Sequence, residues 1–300
     1  MTMTSLPGSD AAPAQLTDKA STGQNKVFIN AAQTSGAKAA AGWDDVRQTL
    51  QLWRLVWRLS LLDIRLRYRG SVLGPFWLTL STGVMVAALG VLYSKLMRMD
   101  IHTYLPFLSL SLVLWNFLSA LVNEGCLCFT GSEGMIRASR MPLSLHAARV
   151  VIRNFLAFAH NIVIIVLVFA IMRKVPGPQS YLILPGFLVW FIDGLAVCLL
   201  LGAFCARFRD IPPIVASVLQ IAFFLTPIIW SPAILMHRGI GIVLTTGNPF
   251  YALLEIIRGP LLGTPADALT WGVALGYSAV LVLSSAILFA LARPRLAYWV

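Results

Sequence analysis

Few side chains in this 300-residue chain could carry covalent chemistry, and their spacing excludes most of it. None of the five lysines (Lys19, Lys26, Lys38, Lys95, Lys174) follows a glycine, so the Gly-Lys pair that cradles phosphate in a P-loop cannot be assembled. There is no His-Glu-x-x-His, no Gly-x-Ser-x-Gly, and no single segment that groups His, Asp and Glu as a hydrolase would. Cys126-x-Cys128 has metal-ligand spacing, but neither a histidine nor a second close cysteine pair completes a site. With Cys198 and Cys205 on another apolar stretch, the four cysteines read as small buried residues. The residues imply no catalytic centre, no metal and no cofactor. If the protein does work, the energy has to come from elsewhere.

The remaining chemistry lies in polar groups set within apolar sequence. Asp193 falls near the middle of an apolar segment, where an ionised carboxylate costs roughly 2.5–3.5 kcal/mol on insertion scales. It reads either as a proton-coupling or substrate-contacting acid, or as a hydrogen-bonded residue of helix packing. Arg149, Arg153 and His160 share one helical face, with Asn154 and Asn161 beside them. Such arginines either snorkel to the membrane surface or line a conduit. Aromatics are abundant, and most suit an interface belt or a core. Because sugars lay their C–H faces on aromatic rings, Tyr93, Trp115, Phe117, Phe223, Phe224 and Trp230 are candidates for lining a glycan conduit.

The elements that must position these groups follow from composition. The chain is 58% hydrophobic and only 12% charged, with a mean hydropathy of +0.79. Globular domains carry about 25% charged residues, so an all-α polytopic membrane protein is expected. The net charge of +11 flanks apolar segments and forms no basic domain, which points to a lipid surface and not to nucleic acid.

Residues 1–42 lack periodicity and any signal-peptide pattern, and read as a disordered cytoplasmic tail. In residues 43–73, Arg47, Arg54, Arg58, Arg65 and Arg69 recur at steps that place them on one helical face. Leu52, Val56, Leu59 and Leu66 point the other way, with Trp53 and Trp57 on the flank. This is an amphipathic helix lying in the membrane interface. Gly70 to Pro75 ends it.

Six transmembrane helices are expected within 74–293, near 75–96, 104–124, 150–172, 181–204, 212–230 and 271–292, each close to the roughly 20 residues a bilayer needs. With the N-terminus inside, 17 of the 23 Lys and Arg fall in cytoplasmic segments, against six outside (Lys95, Arg98, Arg173, Lys174, Arg238, Arg258). Both termini, including 294–300, are then cytoplasmic. Residues 125–149 form a cytoplasmic loop, and 231–270 an external re-entrant helical hairpin, since Phe250 to Leu262 is too short to span.

The stretch Ala206 to Pro232 opens with Arg207, Arg209 and Asp210, passes through Pro212-Pro213, and closes on Trp230. Asp210 is placed to cap a helix whose first turn tolerates both prolines. Arg207, Arg209 and Asp210, together with Asp193, are the candidate gating and structural residues.

Four segments resemble the integral-membrane permease subunit of ABC-type polysaccharide exporters, in that family's order and spacing. RLRYRGSVLGPFW (Arg65 to Trp77) is similar to the motif joining its interfacial gate helix to the first span. WNFLSALVNEG, with a loop ending RMPLSLHAARVV, resembles its second span, coupling loop and third span. RFRDIPPIV and NPFYALLEIIRGPLLG look like its fifth-span start and external hairpin. The resemblance covers about residues 45–292.

It implies a bacterial inner-membrane homodimer that forms one channel for a lipid-linked cell-surface glycan of the O-antigen or capsule type. Two copies of a separate ATP-binding subunit would drive it, touching Arg137, Arg140 and Pro142 of the loop and acting through the interfacial helix with its Arg65 and Arg69. A drug or lipid export permease of the same architecture, and a proton-coupled carrier using Asp193, are the competing expectations.

Overall fold

Nearly every long apolar stretch folds as a helix, because a bilayer offers backbone polar groups no partner outside the chain. The computed structural model describes residues 35–71, 74, 76–232, 245 and 247–300. The helices are α1 (Ser35–Gln51), α2 (Trp53–Arg67), α3 (Phe76–Leu96), α4 (Ile101–Cys126), α5 (Glu133–Ala138), α6 (Leu143–Ile171), α7 (Ile183–Arg207), α8 (Ile211–Leu225), α9 (Pro249–Leu262) and α10 (Ala268–Trp299). No strand occurs among the described residues.

Five of these, α3, α4, α6, α7 and α10, are long and apolar enough to cross a membrane. The expected span at 212–230 takes a different form. Helix α8 has 15 residues, about 22 Å at 1.5 Å per residue, against a hydrocarbon core of about 30 Å. It stops because Thr226 precedes Pro227 and is driven out of the helical region, to φ −85° and ψ 138°. Asp210 does occupy the position before α8, but its side chain makes no capping bond.

Helix α4 lies at the centre. Leu108, Leu110, Leu112, Leu114, Trp115 and Phe117 are all buried, so it is enclosed on every side, as an evenly hydrophobic helix should be. Helices α6 and α7 pack against it, and α7 in turn carries α10. Close approach depends on missing side chains: a Cβ on Gly194 of α7 would lie 2.9 Å from Leu121 of α4, and one on Gly202 would lie 3.1 Å from the Gly125 carbonyl. Above these glycines, Phe117 stacks on Trp190, with ring centroids 5.3 Å apart and planes 5° apart; Phe155, Phe158 and Phe187 complete the cluster.

At its N-terminal side the chain differs from the sequence reading in two ways. Helix starts at Ser35, inside the stretch taken as tail; residues 1–34 lie outside those described. The amphipathic segment is also two helices, broken at Leu52. At the other end, α10 runs through Pro294 to Trp299, so 294–300 continues the last span's helix. Of the expected hairpin, 233–244 and 246 are outside the described residues, and the arm α9 lies among those described. Asn248 caps α9 by accepting from the amides of Phe250 and Tyr251, and Gly263, at φ +86°, ends it in the left-handed conformation that glycine adopts freely.

Candidate functional site

The face that α1 and α2 turn inward is polar. Asp45, Thr49, Val56 and Ser60 are buried, with Asp63 next in line, and the leucines expected there divide: Leu59 is half-buried, while Leu52 and Leu66 are exposed. The five arginines of the opposite face are all exposed.

Asp45 sits at the start of α6. Its carboxylate accepts from the amides of Leu143 (3.2 Å) and Ser144 (2.8 Å) and from the Ser144 hydroxyl (2.7 Å). It thereby caps α6 from another helix, because Pro142, at the cap position itself, has no side-chain acceptor to offer. Arg293 of α10 balances the charge at 3.0 Å, and Thr49 Oγ1 lies 2.7 Å from Ser144 Oγ.

Asp63 forms the second point of attachment. Arg149 of α6 grips it in bidentate fashion through Nε and Nη2, and Arg153 Nη1 reaches Asp63 Oδ2 at 2.9 Å. Arg153 also donates from Nη2 to Glu124 Oε2 of α4 at 2.8 Å, where Asn154 Nδ2 arrives at 2.7 Å. Arg67 of α2 closes the ring on Glu124 Oε1 at 2.8 Å. Three arginines and two carboxylates thus bind the amphipathic helix to α4 and α6. The Arg149 guanidinium further lies 3.5 Å from Met135 Sδ of α5, in the loop 125–149. The Ser60 hydroxyl adds a bond to the Arg149 carbonyl at 3.1 Å.

Arg149 and Arg153 hold helices together. Of their expected neighbours, Asn161 accepts from Thr79 of α3 and His160 bonds within its own helix, to the Leu156 carbonyl. Asp45, Asp63, Arg67 and Glu124 were not singled out from sequence. The available signal was Asp63, the one acid among the arginines of 54–69, set 18 residues (five full turns) beyond Asp45.

The other candidates are scattered. Arg137 is exposed, pairs with Glu133 at 2.8 Å and donates to Val300 O at 3.0 Å; Arg140, Arg65 and Arg69 are exposed, while Pro142 is buried. Trp115 and Phe117 are packed in the interior, Trp115 against Phe223 and Phe250, so neither faces an open passage within this chain. Phe224 is exposed, and Tyr93, Phe223 and Trp230 are half-buried. Arg207 lies over the Phe208 ring at 5.3 Å, and Arg209 and Asp210 are exposed. Asp193 is buried, and its one bond is accepted from Ser278 of α10 at 2.7 Å; Oδ1 has no partner among the described residues.

At the opposite end of the helices, Arg258 of α9 is 1% exposed. It donates to Glu255 Oε2 (2.9 and 2.5 Å), Ser111 Oγ of α4 (2.8 Å) and the Pro227 carbonyl (2.6 Å), under the Phe107 ring at 4.6 Å. Sequence reading had counted this arginine only as one of six outside charges.

Five long apolar helices, four of them set about a buried α4, with an amphipathic helix clamped to them by charge, define a polytopic helical membrane protein. The chain belongs to the ABC-2 type transporter family, whose model matches residues 50–262. It is thus a multi-pass inner-membrane transport subunit of the permease kind, and the family implies partnership with an ATP-binding subunit. It is similar to the O-antigen export system permease protein RfbA of Myxococcus xanthus, 24% identical over 209 residues that cover 70% of this chain and 80% of the relative. It is also similar to the protein of that name from Klebsiella pneumoniae, 21% identical over 193 residues, 64% of this chain and 74% of the relative.

Proposed function

We propose that this chain is the channel-forming subunit of an ATP-driven exporter of lipid-linked cell-surface polysaccharide of the O-antigen type. Two copies enclose one passage, and two copies of a separate ATP-binding subunit dock on the side of the loop 125–149. Both termini lie on that cytoplasmic side. Helix α8, with the segment to Pro232, makes the sixth crossing, and α9 forms one arm of a re-entrant hairpin on the outer face.

The observation that carries the reading is the clamp on Asp63 and Glu124. A load applied to α5 meets Arg149 through Met135, and Arg149 holds the amphipathic helix through Asp63. A push on the loop therefore shifts α2 and α6 as one body. The relatives' names support the cargo, and the missing P-loop lysine supports an external source of energy.

The test is to co-express the chain with a P-loop ATPase from the same genome. The expected result is a stable complex that hydrolyses ATP, and a deletion strain that accumulates lipid-linked glycan inside the cell. Normal surface glycan in the deletion strain, with a drug or lipid retained instead, would contradict the cargo.

A further inference from the structure

A cavity of about 290 Å³ opens between α9 and the start of α10. Tyr251, Glu255, Asp267 and Thr270 supply its polar wall, and Ala252 and Val273 part of its apolar wall. It lies at the end of α10 away from the Arg293–Asp45 bridge, on a helix of 32 residues, about 48 Å long. The volume is near the lower limit of ligand sites, enough for one sugar ring.

Both carboxylates already have partners. Glu255 Oε2 is taken by Arg258, and Asp267 Oδ1 accepts the Thr270 amide at the positive end of α10. Hydrogen bonds from Thr270 also hold the Asp267 carboxyl below its ordinary range. Burial, reinforced by the Glu255 carboxylate, pushes the Tyr251 phenol up to about 12, so it remains a neutral donor. A carboxylate paired with arginine, a second one capping a helix, a phenol and an apolar wall match a polyhydroxylated ring with a C–H face.

We propose that this cavity between α9 and α10 is a saccharide-binding site at the outer end of the passage, holding one residue of the glycan as it leaves. This rests on the exporter reading given above. The probes are glucose, galactose, mannose, rhamnose and N-acetylglucosamine, each added to the detergent-purified complex with its ATP-binding subunit and followed by saturation-transfer difference NMR. At least one sugar should bind. Tyr251→Phe, which keeps the ring, and Asp267→Ser, which keeps a capping oxygen, should each weaken binding by about fivefold or more without moving the melting temperature.

No sugar signal on an intact, ATP-hydrolysing complex would overturn the site and leave the exporter reading standing. Sugar binding unaltered by both variants would overturn it too, as would stabilisation by calcium chloride in place of any sugar. Absence of the ATP-binding subunit from the preparation would sink the exporter reading, and this one with it.

Discussion

Arginine organises both ends of this molecule, in opposite ways. At the α2 end, Arg67, Arg149 and Arg153 share Asp63 and Glu124 across three helices, with side chains 9–46% exposed. At the α9 end, a single arginine, Arg258, is sealed from solvent and bonded to Glu255, Ser111 and the Pro227 carbonyl. A shared, half-wet network can lose one pair and keep others, whereas a sealed arginine that loses a partner leaves a charge with no water to receive it. The first arrangement suits a joint that moves and the second a fixed anchor. That contrast is the basis for assigning transmission to the clamp and rigidity to α9.

The largest effect should come from the anchor. Arg258→Ala leaves Glu255 uncompensated and removes bonds to α4 and to the segment after α8, at a cost of about 3–5 kcal/mol. Membrane-inserted protein should fall sharply on fluorescence-detected size-exclusion chromatography. Arg258→Lys should rescue little, since one ammonium cannot replace the planar fork. Full yield from either variant would erase the distinction.

Asp63→Ala should cut glycan export at least about tenfold, the loss of roughly 1.4 kcal/mol of coupling, while the complex forms and ATP hydrolysis continues. Export and hydrolysis measured on one preparation separate this from misfolding. Raising salt from about 0.1 to 1 M shortens the screening length from about 10 to 3 Å. Hydrogen exchange should then quicken in α2 and stay unchanged in α9. Equal acceleration in both would put the two arginine sites in one class.

The spans were legible because composition alone demands them, and the basic face of the amphipathic helix because its arginines recur at helical steps. The clamp was not legible. Its carboxylates sit on helices where nothing local needs them, and their partners lie 29 to 90 residues away. Polarity also misled the assignment of faces: Leu52 and Leu66 were expected to pack, but the packing stripe is Asp45, Thr49, Val56 and Ser60. In lipid an exposed leucine costs nothing, so hydrophobic residues lose their value as markers of the interior. Pro227 was visible, yet its consequence, a helix ending at Leu225, depends on the restriction it places on Thr226.

Two smaller effects sharpen the account of α9 and of α7. Asn248→Ala removes the α9 cap and the bond to Thr226, and should lower stability by about 1 kcal/mol in a thermal-unfolding assay. Asp193→Asn retains an acceptor for Ser278 and should leave export within about twofold of wild type, since at most one hydrogen bond is altered. Export abolished by that variant, with hydrolysis intact, would favour a proton-coupled mechanism.

The most direct test reconstitutes the chain in proteoliposomes, alone and with its ATP-binding subunit, and follows movement of lipid-linked glycan with a glycan-specific lectin. Movement should require both subunits and ATP, and should be lost in Asp63→Ala while ATP hydrolysis persists. Glycan driven across by this chain alone, or undiminished movement in the Asp63 variant, would contradict the account.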